Sequence, residues 1–346
     1  MSPLDTGAER INGTLAQTNF KPHPLLANAH LQTMVPTFFR PMPDVALEKE
    51  RIELPDGDFV DLGWLDGARQ RNKGPILLMV HGLGGGFDSK YALGLGKRLS
   101  QRGWRTLILQ LRGAGPEPNR RAHCYHHGDT ADFHHVCGLL KQRHPDAALY
   151  AAGWSLGASI VLKAVGEKGE DSLLGAAAAA SAPFVLEPCA EHLRHGVARL
   201  YQNYLLRHIR ANLPLKHRTV PLPPGADLQA AMQAKDFFAF DDAYTAPING
   251  FKNTRDYYAR ASCGQFLGTI ARPTLVVNAL DDPFMARGII PRESALAPQV
   301  HIETCRHGGH VGFITAGPRG GLSYWLDERF AEFFESQRNG SHIASP

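Results

Sequence analysis

The sequence predicts an α/β protein in which helices flank a mainly parallel central sheet. Short apolar segments of strand length alternate with segments of helical length along most of the 346 residues. The inner apolar segments are continuous rather than alternating with polar residues, which is the pattern of strands buried on both faces. With 43% hydrophobic and 20% charged residues, the chain can form a large core and is expected to be folded.

Eight strands are predicted from these segments. The first two flank Pro55-Asp56-Gly57-Asp58 and are expected to form a hairpin. The alanine run Ala176–Ala180 favours a helix by propensity, but it lies between a helix ending near Lys168 and Pro183, a space better suited to a strand. In chain order the predicted strands are Glu48–Leu54, Phe59–Leu65, Ile76–Val80, Thr106–Gln110, Leu149–Ala152, Ala176–Ala180, Thr274–Asn278 and Val300–Thr304.

One segment, residues 183–262, interrupts the alternation and is predicted to be a helical cap inserted into the core. The core then comprises residues 21–182 and 263–335, with an N-terminal arm (1–20) and a disordered tail (336–346). The cap is expected over the C-terminal ends of the strands, where open α/β sheets bind ligands. It contains one amphipathic helix, with Val197, Tyr201, Leu205, Ile209 and Leu213 in an i+4 row. An acyl pocket is expected from its apolar and aromatic residues Tyr201, Tyr204, Leu205, Phe237, Phe238, Phe240 and Tyr244.

Charge and composition argue against several classes of protein. The net charge of +4 is mild for this length and does not favour nucleic-acid binding. The chain has no run of 18 apolar residues, so no membrane-spanning helix is predicted. The first twenty residues are polar and do not resemble a secretory signal. Five scattered cysteines favour reduced thiols, so a cytoplasmic location is expected. The oligomeric state is not indicated.

A basic stretch lies within the predicted cap. Residues 192–226 contain six Lys or Arg and no acidic residue. This stretch is interpreted as a solvated basic face, and the alternative is attraction to anionic lipid, as a peripheral contact, or to an acidic substrate.

Gly153-Trp154-Ser155-Leu156-Gly157 matches the G-x-S-x-G pattern of a nucleophile elbow. An apolar strand leads into the motif, and a segment of helical character follows it. This is the strand–turn–helix context that exposes a serine as a nucleophile at the C-terminal end of a strand. Ser155 is therefore the candidate nucleophile, and the alternative is a serine that only caps the helix.

A serine nucleophile requires a base, and the base requires an orienting carboxylate. His310 follows the last predicted strand in a glycine-rich loop and is the candidate base, with His307 as its rival. Asp282 follows the preceding strand and is the preferred carboxylate, which leaves Asp281 as a turn or supporting residue. The order Ser155, Asp282, His310 is that of α/β hydrolases rather than of chymotrypsin or subtilisin.

Two backbone N–H groups are predicted to form the oxyanion hole. One belongs to Leu156, next to the nucleophile. The other belongs to Leu83 in the loop His81-Gly82-Leu83-Gly84-Gly85-Gly86, which follows a strand. This loop does not match a dinucleotide fingerprint, because Phe87 stands where G-x-G-x-x-G requires glycine.

No cofactor or metal is predicted. The chain contains no Walker A motif. The cluster of histidines from His123 to His135 lacks a metal-binding spacing, so structural hydrogen bonds are favoured over metal ligation.

Beyond these single motifs, the sequence resembles the α/β-hydrolase superfamily, and within it the YheT-like branch of esterases and lipid-hydrolysing relatives. The resemblance covers about residues 20–334. One departure is Ala29, where relatives usually carry glycine. The motifs that carry the resemblance are Asn28-Ala29-His30-Leu31-Gln32-Thr33, His81-Gly82-Leu83-Gly84-Gly85, Arg112-Gly113, Glu117-Pro118-Asn119-Arg120, Tyr125-His126, Gly128-Asp129, Asn278 to Phe284 and His307 to Phe313.

The resemblance implies cofactor-free hydrolysis of carboxylic esters by a serine nucleophile. Together with the residues, it predicts a carboxylesterase for short to medium acyl chains that acts through an acyl-enzyme. The substrate is expected to be a small-molecule or lipid-like ester. The alternatives are an acyltransferase or a phospholipase or lipase using the same residues, and a non-catalytic binding module.

Overall fold

A nine-stranded sheet forms the centre of the computed structural model, which describes residues 13–71 and 73–340, except for the side chain of Arg319. The sheet order is β1-β9-β8-β7-β6-β4-β5-β3-β2, and its pairs are parallel except β2–β3 and β3–β5. A separate antiparallel pair is formed by β10 and β11. The strands are β1 Thr14–Gln17, β2 Leu47–Glu53, β3 Phe59–Leu65, β4 Ile76–Val80, β5 Arg105–Gln110, β6 Leu149–Trp154, β7 Ala176–Ala180, β8 Thr274–Ala279, β9 Val300–Cys305, β10 Ile314–Ala316 and β11 Leu322–Tyr324.

The eight predicted strands are confirmed, including the alanine run. Every residue of β7 is buried. Ala177 and Ala179 face one apolar cluster, and Ala176, Ala178 and Ala180 face the other. Small side chains allow helices to approach closely on both faces, so packing overrides the helical propensity of alanine.

Three short strands were not predicted. β1 lies within the predicted N-terminal arm and pairs in parallel with β9 at the edge of the sheet, so the described end of this arm is part of the sheet. β10 and β11 have three residues each. Residues 1–12 of the arm lie outside the described part of the chain.

Helices cover both faces of the sheet. α2 and α12 contribute to the apolar cluster on one face, and α3 and α4 contribute to the cluster on the other. The helices are α1 Ala29–Phe39, α2 Lys90–Ser100, α3 Ala131–Arg143, α4 Leu156–Lys168, α5 Leu186–Leu193, α6 Ala198–Arg210, α7 Leu213–Lys216, α8 Leu228–Gln233, α9 Phe237–Phe240, α10 Ala246–Ile248, α11 Thr254–Ala261 and α12 Trp325–Arg338.

The predicted boundary of the tail at residue 336 requires correction. Residues 336–338 form the last turn of α12, which is anchored by the buried Phe333 and Phe334. The polar sequence of this turn gives no sign that the helix continues. Residues 341–346 of the predicted tail lie outside the described residues.

The segment between β7 and β8 is helical, as expected, and contains α5 to α11. It has its own apolar cluster, which includes Leu206, Phe240 and Tyr258. The predicted amphipathic helix corresponds to α6, but Val197 precedes this helix and Leu213 begins α7. None of the described helices is long and apolar enough to cross a membrane.

Candidate active site

Ser155 occupies a sharp turn between β6 and α4. Its backbone has φ 53° and ψ −116°, a conformation that non-glycine residues rarely adopt. A Cβ atom at Gly157 would overlap the carbonyl oxygens of Val80 and His81, and one at Gly153 would overlap the backbone of Gly157. The flanking glycines therefore allow the turn to pack against β4, and the turn presents Ser155 to a cavity.

The structure brings Ser155, His310 and Asp282 together. His310 Nε2 lies 2.9 Å from Ser155 Oγ, and His310 Nδ1 lies 2.8 Å from Asp282 Oδ2. The side chains of His310 and Asp282 are 10% and 0% exposed. When Nδ1–H donates to the carboxylate, Nε2 is left with the lone pair that can accept the serine proton.

The rival residues form a separate pair. Asp281 Oδ1 accepts the Gly309 N–H at 3.0 Å, and Asp281 Oδ2 lies 3.3 Å from Nδ1 of His307. The side chain of His307 is half exposed. Asp281 therefore fixes the backbone of the loop that carries His310.

Helix α1 holds the other side of this loop, a role that the sequence analysis missed. Thr33 Oγ1 accepts the backbone N–H of His310 at 2.9 Å. The buried Gln32 side chain accepts the Ile314 N–H at 2.6 Å and donates to the Ile314 carbonyl at 2.9 Å. Gly312 packs so closely on the Gln32 carbonyl that a Cβ atom would overlap it. The motif from Asn28 to Thr33 was visible in the sequence, but its contact with the His310 loop was not.

The loop after β4 is fixed by buried polar side chains. His81 Nδ1 donates to the Gly82 carbonyl at 2.8 Å, and its Nε2 accepts the Leu111 N–H at 3.2 Å. Burial lowers the pKa of His81 to about 4, so the ring stays neutral at neutral pH. The hydroxyls of Tyr91 and Tyr125 accept the N–H groups of Gly82 and Gly84.

The N–H groups of Leu83 and Leu156 make no hydrogen bond within the described chain. Leu156 is the first residue of α4, where the N–H groups have no helical partner. Both residues line the same cavity as Ser155 and His310. Neither donor is therefore occupied by an acceptor of the described chain.

A cavity of about 360 Å³ extends from Ser155 into the cap, within the range of small-molecule sites. Of the residues expected to line an acyl pocket, Leu205, Phe237, Phe240 and Tyr244 line this cavity. Tyr201, Tyr204 and Phe238 do not line it. Tyr201 packs on Phe284, Tyr204 on Phe38 and Phe238 on Tyr258.

The histidine cluster is engaged in hydrogen bonds. His123 Nε2 lies 3.0 Å from Asp129 Oδ2, and His134 Nε2 lies 3.2 Å from Glu167 Oε2. Burial lowers the pKa of His126 to about 4 and that of His127 to about 3. Among the described residues, no group of three His, Cys, Asp or Glu is arranged to hold a metal ion.

Comparisons with known proteins agree with this architecture. A family model described as alpha/beta hydrolase fold matches residues 75–317. The chain is 38% identical over 318 residues to "Putative esterase YheT" of Escherichia coli K12, covering 92% of this chain and 93% of that protein. It is 29% identical over 321 residues to human "Phospholipase ABHD3", covering 91% and 78%. The Pyrococcus furiosus esterase Pf2001 has a TM-score of 0.53 at 14% identity, covering 94% of this chain and 98% of that one, a likeness in fold alone.

Proposed function

The chain belongs to the alpha/beta hydrolase fold family, and we propose that it is a serine-dependent carboxylic ester hydrolase. The observation that carries this proposal is the continuous hydrogen-bonded series from Ser155 Oγ through His310 to Asp282, opening on an apolar cavity. A serine that only capped α4 would not require a buried imidazole and carboxylate beside it. The name of the relative in E. coli supports the same class of reaction.

In the proposed mechanism, His310 Nε2 accepts the proton of Ser155 as its oxygen attacks the ester carbonyl carbon. The N–H groups of Leu83 and Leu156 stabilise the oxyanion, and Asp282 stabilises the imidazolium. The C–O bond to the alcohol then breaks, and His310 protonates the leaving oxygen. Water, deprotonated by His310, hydrolyses the acyl-enzyme and releases the acid.

The test compares the hydrolysis of nitrophenyl esters by the wild type and by Ser155→Ala. We expect kcat to fall about 10⁴-fold or more, because the nucleophile is removed. Ser159→Ala is the matched control, since Ser159 is a buried serine one turn further along α4. Full activity in Ser155→Ala would contradict the proposal.

Covalent labelling separates the enzyme from a non-catalytic module on the same fold. A fluorophosphonate probe should label the wild type and Ser159→Ala but not Ser155→Ala. A folded wild type that is not labelled would favour the binding module. Product analysis with an added alcohol would identify an acyltransferase by the formation of a new ester.

Substrate length is the finer part of the proposal. We expect short to medium acyl chains, since the cavity has a volume of about 360 Å³ and is lined by cap residues such as Phe237 and Phe240. A phospholipid is the second candidate, favoured by the apolar cavity and by the relative named as a phospholipase. A series from acetyl to palmitoyl esters, repeated with phosphatidylcholine, distinguishes the two.

A further inference from the structure

Helix α1 has its polar and apolar residues reversed relative to an ordinary surface helix. Its buried residues are Gln32 and Thr33, which hold the His310 loop. Its outer side carries large apolar residues, including Phe38 and Phe39, which are 53% and 76% exposed. Because the contacts with the His310 loop use only the inner side, they do not explain an apolar outer side.

Helix α6 continues the same exposed apolar surface. Val197, Leu200 and Tyr204 follow the i, i+3, i+7 spacing of one helix face, and Leu200 is 67% exposed. The rings of Phe38 and Tyr204 contact each other across the two helices, with centroids 6.1 Å apart. Nine of the fifteen most exposed large apolar side chains in the described chain lie in residues 25–42 or 197–204, which makes this a concentrated patch.

The two chain segments that carry this surface contain basic residues but no acidic ones. Residues 21–43 and 192–226 contain no aspartate or glutamate. Arg199 and Arg207 on α6 are exposed, and neither forms an ion pair with a carboxylate of the described chain. An occupant of this surface would therefore meet exposed apolar groups next to uncompensated positive charge.

We propose that this surface, the α1–α6 face (Phe38, Phe39, Leu200, Tyr204, Arg199 and Arg207), docks onto a lipid bilayer that contains anionic phospholipid. Apolar side chains would enter the acyl boundary, and the guanidinium groups would remain among the phosphates. A second copy of the chain fits less well, because a symmetric contact would bring the basic helices together.

Docking would place the α6 wall of the cavity beside the bilayer. The inner side of α6 lines the cavity through Leu205 and Ile209. Tyr201 on the same helix packs on Phe284 at 4.9 Å between ring centroids, and Phe284 stacks on His310 at 4.0 Å. A lipid-like ester could then pass from the membrane to the site without crossing bulk water.

The test measures binding without turnover, so that it is independent of the proposed chemistry. The full-length protein is mixed with vesicles of ether-linked phosphatidylcholine, alone or with an equal part of ether-linked phosphatidylglycerol, and floated on a density gradient. Ether lipids carry no carboxylic ester for the protein to cleave. We expect flotation with the anionic vesicles, weakened by added salt.

Two double variants test the two parts of the face. Phe39→Ser with Leu200→Ser should weaken binding about tenfold or more, because apolar contact is lost. Arg199→Gln with Arg207→Gln should weaken binding to anionic vesicles by about 30-fold. The matched control is Leu173→Ser with Lys168→Gln, an exposed apolar and an exposed basic residue near the opposite end of α4 from Ser155. All three must retain the wild-type circular dichroism spectrum.

Several outcomes would overturn the proposal. The wild type could fail to float with anionic vesicles, or the control variant could lose as much binding as the others. Light scattering could instead show a dimer that Phe39→Ser with Leu200→Ser dissociates, which would assign the face to a second copy of the chain. Ester hydrolysis could persist in each of these cases, so the failure of docking would not be confused with failure of the proposed reaction.

Discussion

Ser155 and His310 lie within hydrogen-bond distance of each other, yet different parts of the molecule hold them by different means. Ser155 is fixed by backbone contact inside the sheet, where Gly157 packs on β4 without room for a side chain. The loop of His310 is held by backbone N–H groups that donate to the side chains of Gln32 and Thr33 in α1, together with the close approach of Gly312 to the Gln32 carbonyl. The Ser155 half of the site depends on backbone packing, and the His310 half depends on polar side-chain contacts as well.

This difference predicts different sensitivity to substitution. Close backbone packing leaves little room to adjust, so a single added methyl group affects the whole turn. A hydrogen bond contributes about 1 kcal/mol net, so its loss has a smaller effect on position and rate. The loop after β4 is a third case, because its support, His81, is titratable.

The largest effect is expected for Gly157→Ala. The new methyl group would overlap the carbonyl oxygens of Val80 and His81, and unfolding experiments in urea should show a loss of about 3 kcal/mol or more. Gly138→Ala in α3 is the control, since nothing lies within 4 Å of its added Cβ atom. That variant should be stabilised by about 0.5–1 kcal/mol, as usual for glycine to alanine in a helix. If Gly157→Ala were as stable as the wild type, the Ser155 turn would not be more sensitive to substitution than the His310 loop, and the prediction would be wrong.

The next largest effect is expected on the stability of the protein at acid pH. The pKa of His81 falls from its ordinary 6.5 to about 4 because the ring is buried. Between these values the unfolded chain binds more protons, so stability falls as the pH falls through this window, by about 3 kcal/mol for this residue. His81→Gln should be less stable than the wild type at about pH 7.5. On acidification to about pH 4.5 it should lack the loss of stability that protonation of His81 causes in the wild type.

The comparison with Thr33→Val makes this test specific. Thr33 is not titratable, so that variant should be destabilised equally at both pH values. His126 and His127 are also buried with lowered pKa values, so the wild type and both variants share their contribution. An equal fall with acid in His81→Gln and the wild type would show that His81 does not couple the loop to pH.

The sequence was most informative where residues are buried on both sides. The inner strands could be predicted because continuous apolar segments are required between two layers of helices. β1, with the sequence Thr14–Gln17, was missed because it is short, partly polar and paired only with β9. The α/β-hydrolase fold predicted from the motifs is confirmed by the structure and by the family match.

For the site, local patterns were sufficient for the candidates but not for their support. The turn at Ser155 has a sequence pattern of its own, and the positions after two strands indicate Asp282 and His310, with Asp281 and His307 as alternatives. The contact between Thr33 and His310 joins residues 277 positions apart. No local sequence pattern indicates that Gln32 and Thr33 form the buried side of a mainly apolar helix. The contact between Thr33 and His310 could therefore be found only in the structure.

The smallest effect is expected for Thr33→Val, which replaces the hydroxyl with a methyl group of similar volume. The His310 N–H would lose its acceptor at 2.9 Å, and the loop should position the imidazole less well. We expect kcat for a nitrophenyl ester to fall about tenfold with little change in KM, since the ester contacts remain. Thr33→Ser should restore the rate, because it returns the hydroxyl.

Thr37→Val is the matched control for this last substitution. Thr37 lies one turn further along α1, and its hydroxyl donates to the Thr33 carbonyl just as the Thr33 hydroxyl donates to the Ala29 carbonyl. Both valine variants lose such a bond within the helix, but only Thr33→Val loses the contact with His310. If the two lower kcat equally, the helix as a whole matters and the single bond does not. If only Thr33→Val does so, one hydroxyl of α1 positions His310, in contrast to Ser155, whose turn is held by the backbone packing of Gly157.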